Sequence, residues 1–160
     1  SGSGCLGLSI KKNRQNASLT LGDISEKALE CAEINAKNLK IPAKFVKTDM
    51  FSNITGQYDL IVCNPPYIAT NEIEKLSSEV KDFDPILALD GGEDGLKFYK
   101  ILLKNLDNFL TEKGKCLIEI GYDQGFLLDL FKQKFENVKL VKDYNNQDRL
   151  LIINKENELC

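Results

Sequence analysis

Tyr58-Asp59-Leu60-Ile61-Val62-Cys63-Asn64-Pro65-Pro66-Tyr67 is an apolar run that stops at an amide, two prolines and an aromatic ring. Neither proline has a backbone N–H and each fixes its φ near about −65°, so a strand entering here must end and Asn64 is driven to extended geometry. The result is a rigid lip at the carboxyl end of a strand, where open α/β sheets put their ligands. It carries a side-chain carbonyl and a backbone carbonyl able to accept hydrogens from an NH2 group, beside a ring able to stack on a flat one. The plainer reading is a Pro-Pro turn with a capping Asn.

Working outward, 160 residues with 42% hydrophobic and 28% charged side chains suit one globular domain. A net charge of −3 argues against a surface built to neutralise many phosphates, so small molecules or proteins are the expected partners, with no sequence-specific nucleic acid binding. No apolar stretch is long enough to span a bilayer and no cleavable signal is evident, so no membrane partner is expected. The 5 cysteines are odd in number and widely spaced. They read as reduced, mostly packing thiols of a cytoplasmic protein, with no disulfide framework and no metal site. The sequence has 0 histidines, so any chemistry must proceed without the commonest general base.

Helical and extended patterns alternate without a linker or repeat. Residues 6–12 read as a helix start and 17–21 as a strand closed by Gly22-Asp23. Ser25 caps a helix whose apolar residues recur at three- and four-residue steps through Leu39. Residues 44–47 and 59–63 are the next strands. The stretch 68–95 is long and mixed, with helical turns near 72–78 and a glycine pair at Gly91-Gly92; loops of this length are usually functional or mobile. A helix over 96–110, a strand over 115–120 and a helix over 124–135 follow. Strands over 138–142 and 149–153 then form a closing antiparallel pair. The expected fold is α/β, a doubly wound, mostly parallel sheet with an antiparallel last strand.

Candidate binding residues fall at the strand ends. Ser1, Gly2, Ser3 and Gly4 begin a Gly-x-Gly-x-x-Gly spacing, and Asp23 lies about twenty residues on, where such folds place a carboxylate for ribose hydroxyls. No strand precedes the glycines, so a flexible tag is the alternative; for Asp23 it is a helix cap. Asp49 and Met50 offer an acceptor for an exocyclic NH2 and an apolar wall for a ring, or an ordinary turn. Glu119 either faces the site or is satisfied by a neighbouring helix N-terminus. Gly91 and Gly92 form a hinge or a turn. Tyr99 packs in the core, and Lys11, Lys12 and Arg14 form a solvated helix end.

Together these make an ordered row: a glycine turn, a ribose-type acid, an adenine-type acid and an amide-recognising lip. That order resembles the class I (Rossmann-like) methyltransferases that use S-adenosylmethionine, and within them the protein-(glutamine-N5) methyltransferases of the PrmC/HemK family. Val80-Lys81-Asp82-Phe83-Asp84-Pro85, Ala88-Leu89-Asp90-Gly91-Gly92-Glu93-Asp94-Gly95-Leu96 with Tyr99, Glu119-Ile120-Gly121 with Gln124, and Asp148-Arg149 are similar to that family's further blocks. The resemblance implies methyl transfer to the glutamine amide in the Gly-Gly-Gln loop of class I peptide-chain release factors. By it, Ser1, Gly2, Ser3 and Gly4 touch the methionine moiety of S-adenosyl-L-methionine, Asp23 binds the ribose and Asp49 and Met50 border the adenine. Asn64, Pro65, Pro66 and Tyr67 hold the substrate glutamine, Asn64, Pro65 and Tyr67 act in catalysis, and Asn64 also lies close to the cofactor. It further implies that residues 1–160 are the catalytic domain, with the family's first strand and helical amino-terminal domain missing from this chain. Competing readings are an exocyclic adenine N6 methyltransferase on DNA or RNA, a nicotinamide-dependent oxidoreductase, and an inactive fragment that keeps the fold.

Overall fold

A computed structural model describes residues 1–77 and 85–156. Residues 80–84 of the family-like block, Ser78 of the expected helical turns and Cys160 lie outside the described residues. The chain divides into two compact units, Ser1–Gly56 and the remainder from Gln57.

In the first unit, helix α1 (Cys5–Asn13) leads to strand β1 (Thr20–Asp23), helix α2 (Glu26–Leu39) and strand β2 (Lys44–Lys47), with β1 and β2 paired in parallel. Gly4 starts α1 in a left-handed conformation, φ 74°. A Cβ there would lie 3.0 Å from Leu21 and 3.1 Å from Ala32, so only glycine fits. Helix α2 begins where Ser25 Oγ accepts the Ala28 N–H, and it buries Leu29, Ala32 and Ala36. Leu8, Leu21, Ala32 and Ala36 form the unit's core, with Leu19, Ile41 and Phe45 against them. Strand β1 starts three residues later than its sequence suggests. Ala17 is held in a turn, its N–H donating to Arg14 O at 2.9 Å and its carbonyl accepting from Lys11 Nζ. Lys12 and Arg14 are exposed at the α1 end, as the sequence suggested, whereas Lys11 is half-buried and bonds the turn that follows.

In the second unit, strand β3 (Tyr58–Cys63) precedes a 3₁₀ turn (Thr70–Lys75), helices α3 (Ile86–Leu89) and α4 (Lys97–Phe109) and strand β4 (Leu110–Glu119). Helix α5 (Leu127–Lys132) and strands β5 (Asn137–Lys142) and β6 (Asp148–Asn154) follow. The sheet order is β3-β4-β6-β5, with β3 parallel to β4 and both β6 pairings antiparallel. Tyr99, Leu102 and Leu106 recur on one face of α4 and are buried. Cys116 and Ile118 alternate inward on β4, as do Leu151 and Ile153 on β6. Each fully buried apolar side chain of this size contributes about 1.5–3 kcal/mol.

Two boundaries differ from the sequence expectation. Strand β4 starts directly after α4, because Leu110 already pairs with Tyr58 ahead of a register shift. Helix α5 is half the expected length, because tight turns replace its first turn: Gln124 N donates to Gly121 O and Leu127 N to Gln124 O, both at 3.0 Å. Among the described residues no helix is long and apolar enough to cross a membrane, and no group of side chains could hold a metal ion.

Candidate functional site

The first unit brings its candidate residues to the carboxyl ends of β1 and β2. Asp23 ends β1. Its Oδ2 accepts from the Ser1 backbone nitrogen at 2.7 Å and from the Gly2 N–H at 2.9 Å, and its Oδ1 accepts the Ser25 N–H at 2.9 Å. Partial burial works to raise the Asp23 pKa, but the hydrogen bonds it accepts outweigh that and leave the carboxyl below its ordinary value. A carboxylate has about four acceptor positions, so one stays available to a hydroxyl. Asp23 also does the helix-entry work that its plainer reading assigned to it, through Ser25.

Beyond β2, Thr48 N–H donates to Asp23 O at 2.9 Å and keeps the two strand ends in step. Thr48 is buried; its hydroxyl donates to Met50 O at 3.1 Å and accepts the Asn53 N–H at 3.0 Å. That clamp holds Met50 left-handed, φ 50°, a conformation that costs a non-glycine residue about 1–2 kcal/mol. The Asp49 carboxylate is exposed and has no hydrogen bond or ion pair among the described residues. An exposed acid beside a strained apolar residue at a strand end fits an adenine amine and ring. The residues present thus suit a nucleoside with a ribose hydroxyl and an exocyclic amine.

The second unit carries the lip. Asn64 is exposed, Pro65 is buried, and neither the Asn64 amide nor the Pro65 carbonyl has a partner among the described residues. Asn64, Pro65, Pro66, Tyr67 and Ile68 line an open pocket of about 190 Å³ with Ala88 and Leu89 of α3. That volume is below the roughly 300–1,000 Å³ of a cofactor pocket and suits a side chain. The lip is tied down just after the prolines. Ile68 N–H donates to Leu89 O at 3.1 Å, and Gly91 N–H donates to Ile68 O at 2.8 Å. Asp90 Oδ1 accepts the Thr70 hydroxyl at 2.7 Å and the Gly92 N–H at 2.9 Å; those bonds hold its carboxyl below the usual range.

Gly91-Gly92 is therefore a turn packed under the lip. A Cβ at Gly91 would lie 2.9 Å from the Tyr67 backbone, and one at Gly95, φ 70°, only 2.6 Å from Tyr67 O. Of the two sequence readings of Gly91-Gly92 the turn is the one found; what the sequence did not show is the role of Gly95 and of Gln124, which is buried and donates its Nε2 hydrogen to Tyr67 O at 3.2 Å. Tyr99 lies in the core as expected. Its hydroxyl also reaches Gln124 Oε1 at 3.0 Å and Glu119 O at 3.2 Å. No helix N-terminus among the described residues bonds the Glu119 carboxylate. Burial pushes the Cys63 thiol, just before the lip, up to about 11, so it stays protonated and inert.

The sequence model of the methyltransferase small domain matches residues 1–82. The chain belongs to that family. It is 37% identical over 155 residues to the release factor glutamine methyltransferase of Streptococcus pneumoniae, a match that covers 95% of this chain and 56% of the relative. The enzyme of the same name from Agrobacterium fabrum is 38% identical over 154 residues, covering 94% and 53%. The chain thus spans about half the length of the curated relatives it matches. Among solved structures, the T. thermophilus 16S rRNA N2 G1207 methyltransferase in complex with AdoMet and guanosine superposes with a TM-score of 0.69 at 16% identity, covering 97% of this chain and 35% of that one. At that identity the likeness shows the fold alone, an α/β methyltransferase fold. The resemblance carried by the lip and the later blocks is therefore borne out.

Proposed function

We propose that this chain transfers the methyl group of S-adenosylmethionine to the side-chain amide nitrogen of a glutamine, the glutamine of the Gly-Gly-Gln loop in class I peptide-chain release factors, as a cytoplasmic enzyme of translation termination. The observation that carries the reading is the pair of carbonyls, Asn64 Oδ1 and Pro65 O, that have no partner among the described residues, on a lip fixed by two prolines. The names of the relatives support the substrate. S-adenosylmethionine, when bound, supplies an already activated methyl on a sulfonium, which leaves position and electrostatics to the protein.

An amide nitrogen is a feeble nucleophile because its lone pair is shared with its carbonyl. Asn64 Oδ1 and Pro65 O accept hydrogen bonds from the two amide hydrogens, orient the nitrogen and stabilise the positive charge that develops on it as the C–N bond forms and the S–CH3 bond breaks; one of the two protons is then lost to solvent, leaving the neutral methylated amide. Tyr67 and the prolines cover the flat amide and exclude water, which strengthens both bonds. With the cofactor bound, Asp23 would accept from the ribose, Asp49 and Met50 would border the adenine, and the backbone from Ser1 through Gly4 would meet the methionine part. Neither histidine nor a metal has a part in this scheme.

The test is a transfer assay with labelled S-adenosylmethionine offered a Gly-Gly-Gln peptide or an adenine-containing oligonucleotide, with the product mapped by mass spectrometry. A gain of one methyl on the glutamine supports the reading. Methylation of adenine alone, or of neither, refutes it.

A further inference from the structure

Pro65 and Pro66 have no N–H to give a neighbouring strand, so the two middle residues of the lip cannot extend the sheet ladder and contacts from other elements must help fix its position. The β3–β4 ladder ends at Cys63↔Ile118. Beyond that pair, the Gln124 side chain does the work of a further ladder rung: Nε2 donates to Tyr67 O at 3.2 Å while Oε1 accepts the Gly121 N–H at 2.9 Å. The orientation of this amide is fixed by its partners, because turning it over would set NH2 against N–H and oxygen against a carbonyl. Tyr99, with 0% of its surface exposed, backs the same oxygen at 3.0 Å. Burial raises its phenol pKa, so the hydroxyl remains a donor throughout the working pH range. Beside that bond, Gly95 leaves room for Tyr67 O where a Cβ would come within 2.6 Å of it.

We propose that Gln124, backed by Tyr99, is a positioning residue that pins the Tyr67 carbonyl and thereby holds the Asn-Pro-Pro-Tyr lip in the geometry that methyl transfer requires. The inference rests on the proposed glutamine methylation. It assigns Gln124 no contact with substrate; it acts through Tyr67.

The experiment compares Gln124→Leu, Gln124→Glu, Tyr99→Phe and Asn64→Ala with the unsubstituted chain. It reads kcat and KM on a Gly-Gly-Gln peptide, S-adenosylhomocysteine affinity by calorimetry, and amide hydrogen exchange at Ile68 and Gly91. Gln124→Leu is expected to lower kcat about 10–100-fold, with cofactor affinity held within about twofold and faster exchange at both amides. In Gln124→Glu an ionised carboxylate has no hydrogen to give Tyr67 O, whereas the protonated acid has one. Burial raises such a group's pKa, so activity relative to the unsubstituted chain is expected to rise as the pH falls from about 8 to about 6, a profile that a packing role does not produce. Tyr99→Phe, which leaves the Gly121 bond intact, is expected to cost less than Gln124→Leu.

Gln124→Leu with unchanged kcat and exchange, beside an impaired Asn64→Ala, overturns the inference and spares the function. An Asn64→Ala variant of undiminished activity overturns the function itself. If the unsubstituted chain transfers nothing, exchange decides: unaltered protection at Ile68 and Gly91 overturns the brace. Should Gln124→Leu fail to fold, a flat relative pH profile for Gln124→Glu overturns it equally.

Discussion

Gly95→Ala converts the close approach beneath the lip into a number. The residue has φ 70°, which costs an alanine about 1–2 kcal/mol wherever it occurs. A Cβ there would sit 2.6 Å from Tyr67 O, roughly 0.7 Å inside the distance at which carbon and oxygen meet without repulsion. The Tyr67 carbonyl cannot recede freely, because Gln124 Nε2 holds it at 3.2 Å. Overpacking of this kind adds about 1–3 kcal/mol. Gly56 supplies the control: it has a similar φ of 82° and, among the described residues, nothing within 4 Å of the position a Cβ would take, so alanine there meets the backbone cost alone. Urea unfolding, followed by circular dichroism, should therefore show Gly95→Ala destabilised by about 1–3 kcal/mol more than Gly56→Ala. Equal losses would mean that the space under Tyr67 is not tight, and the packing argument for the lip would fail.

Two further outcomes follow from the same geometry. Asp90 has a folded-state pKa below its ordinary value, chiefly because of the Thr70 hydroxyl and the Gly92 N–H, so its stabilisation is fully present above the unfolded-state value and is lost as pH falls through the lower folded value. Melting temperature should then fall less steeply below about pH 4 for Asp90→Asn than for the unsubstituted chain, and parallel profiles would contradict the assignment. Cys5 and Cys31 are exposed whereas Cys116 is buried and the Cys63 thiol is held protonated, so iodoacetamide at neutral pH should label the first two well before the others in peptide mapping. Prompt labelling of Cys63 would show that the strand end before the lip is open. The exposure of Cys5 and Cys31 also departs from the packing role that the sequence suggested for most of the thiols.

Elements bounded by strong local chemistry were legible in the sequence. Strand β3 could be read to its last residue because the prolines end it, and α2 because Ser25 opens it and its apolar residues keep helical spacing. Strand β4 was read short, since Thr111-Glu112-Lys113-Gly114 has turn composition and only its pairing with β3 makes the stretch from Leu110 extended. Periodicity put Tyr99 in the core, but nothing local tells that its hydroxyl meets Gln124, 25 residues on. The same holds for Gly95, whose reason to be glycine is a carbonyl on another element. Arg149 is a comparable case: it bonds Asp143 Oδ2 and Ile120 O at 3.3 and 3.2 Å, which makes it a clamp between the β5–β6 turn and the end of β4. Single residues with strong backbone preferences reveal themselves in sequence. Side-chain bonds across the sheet do not.

The most direct measurement is the single-turnover rate of methyl transfer to a Gly-Gly-Gln peptide by Asn64→Ala at saturating S-adenosylmethionine, beside its melting temperature. Loss of one preorganised acceptor predicts a rate lower by about 10²–10³, with melting nearly unchanged because the exposed Asn64 amide bonds nothing among the described residues. A rate equal to that of the unsubstituted chain would contradict the account.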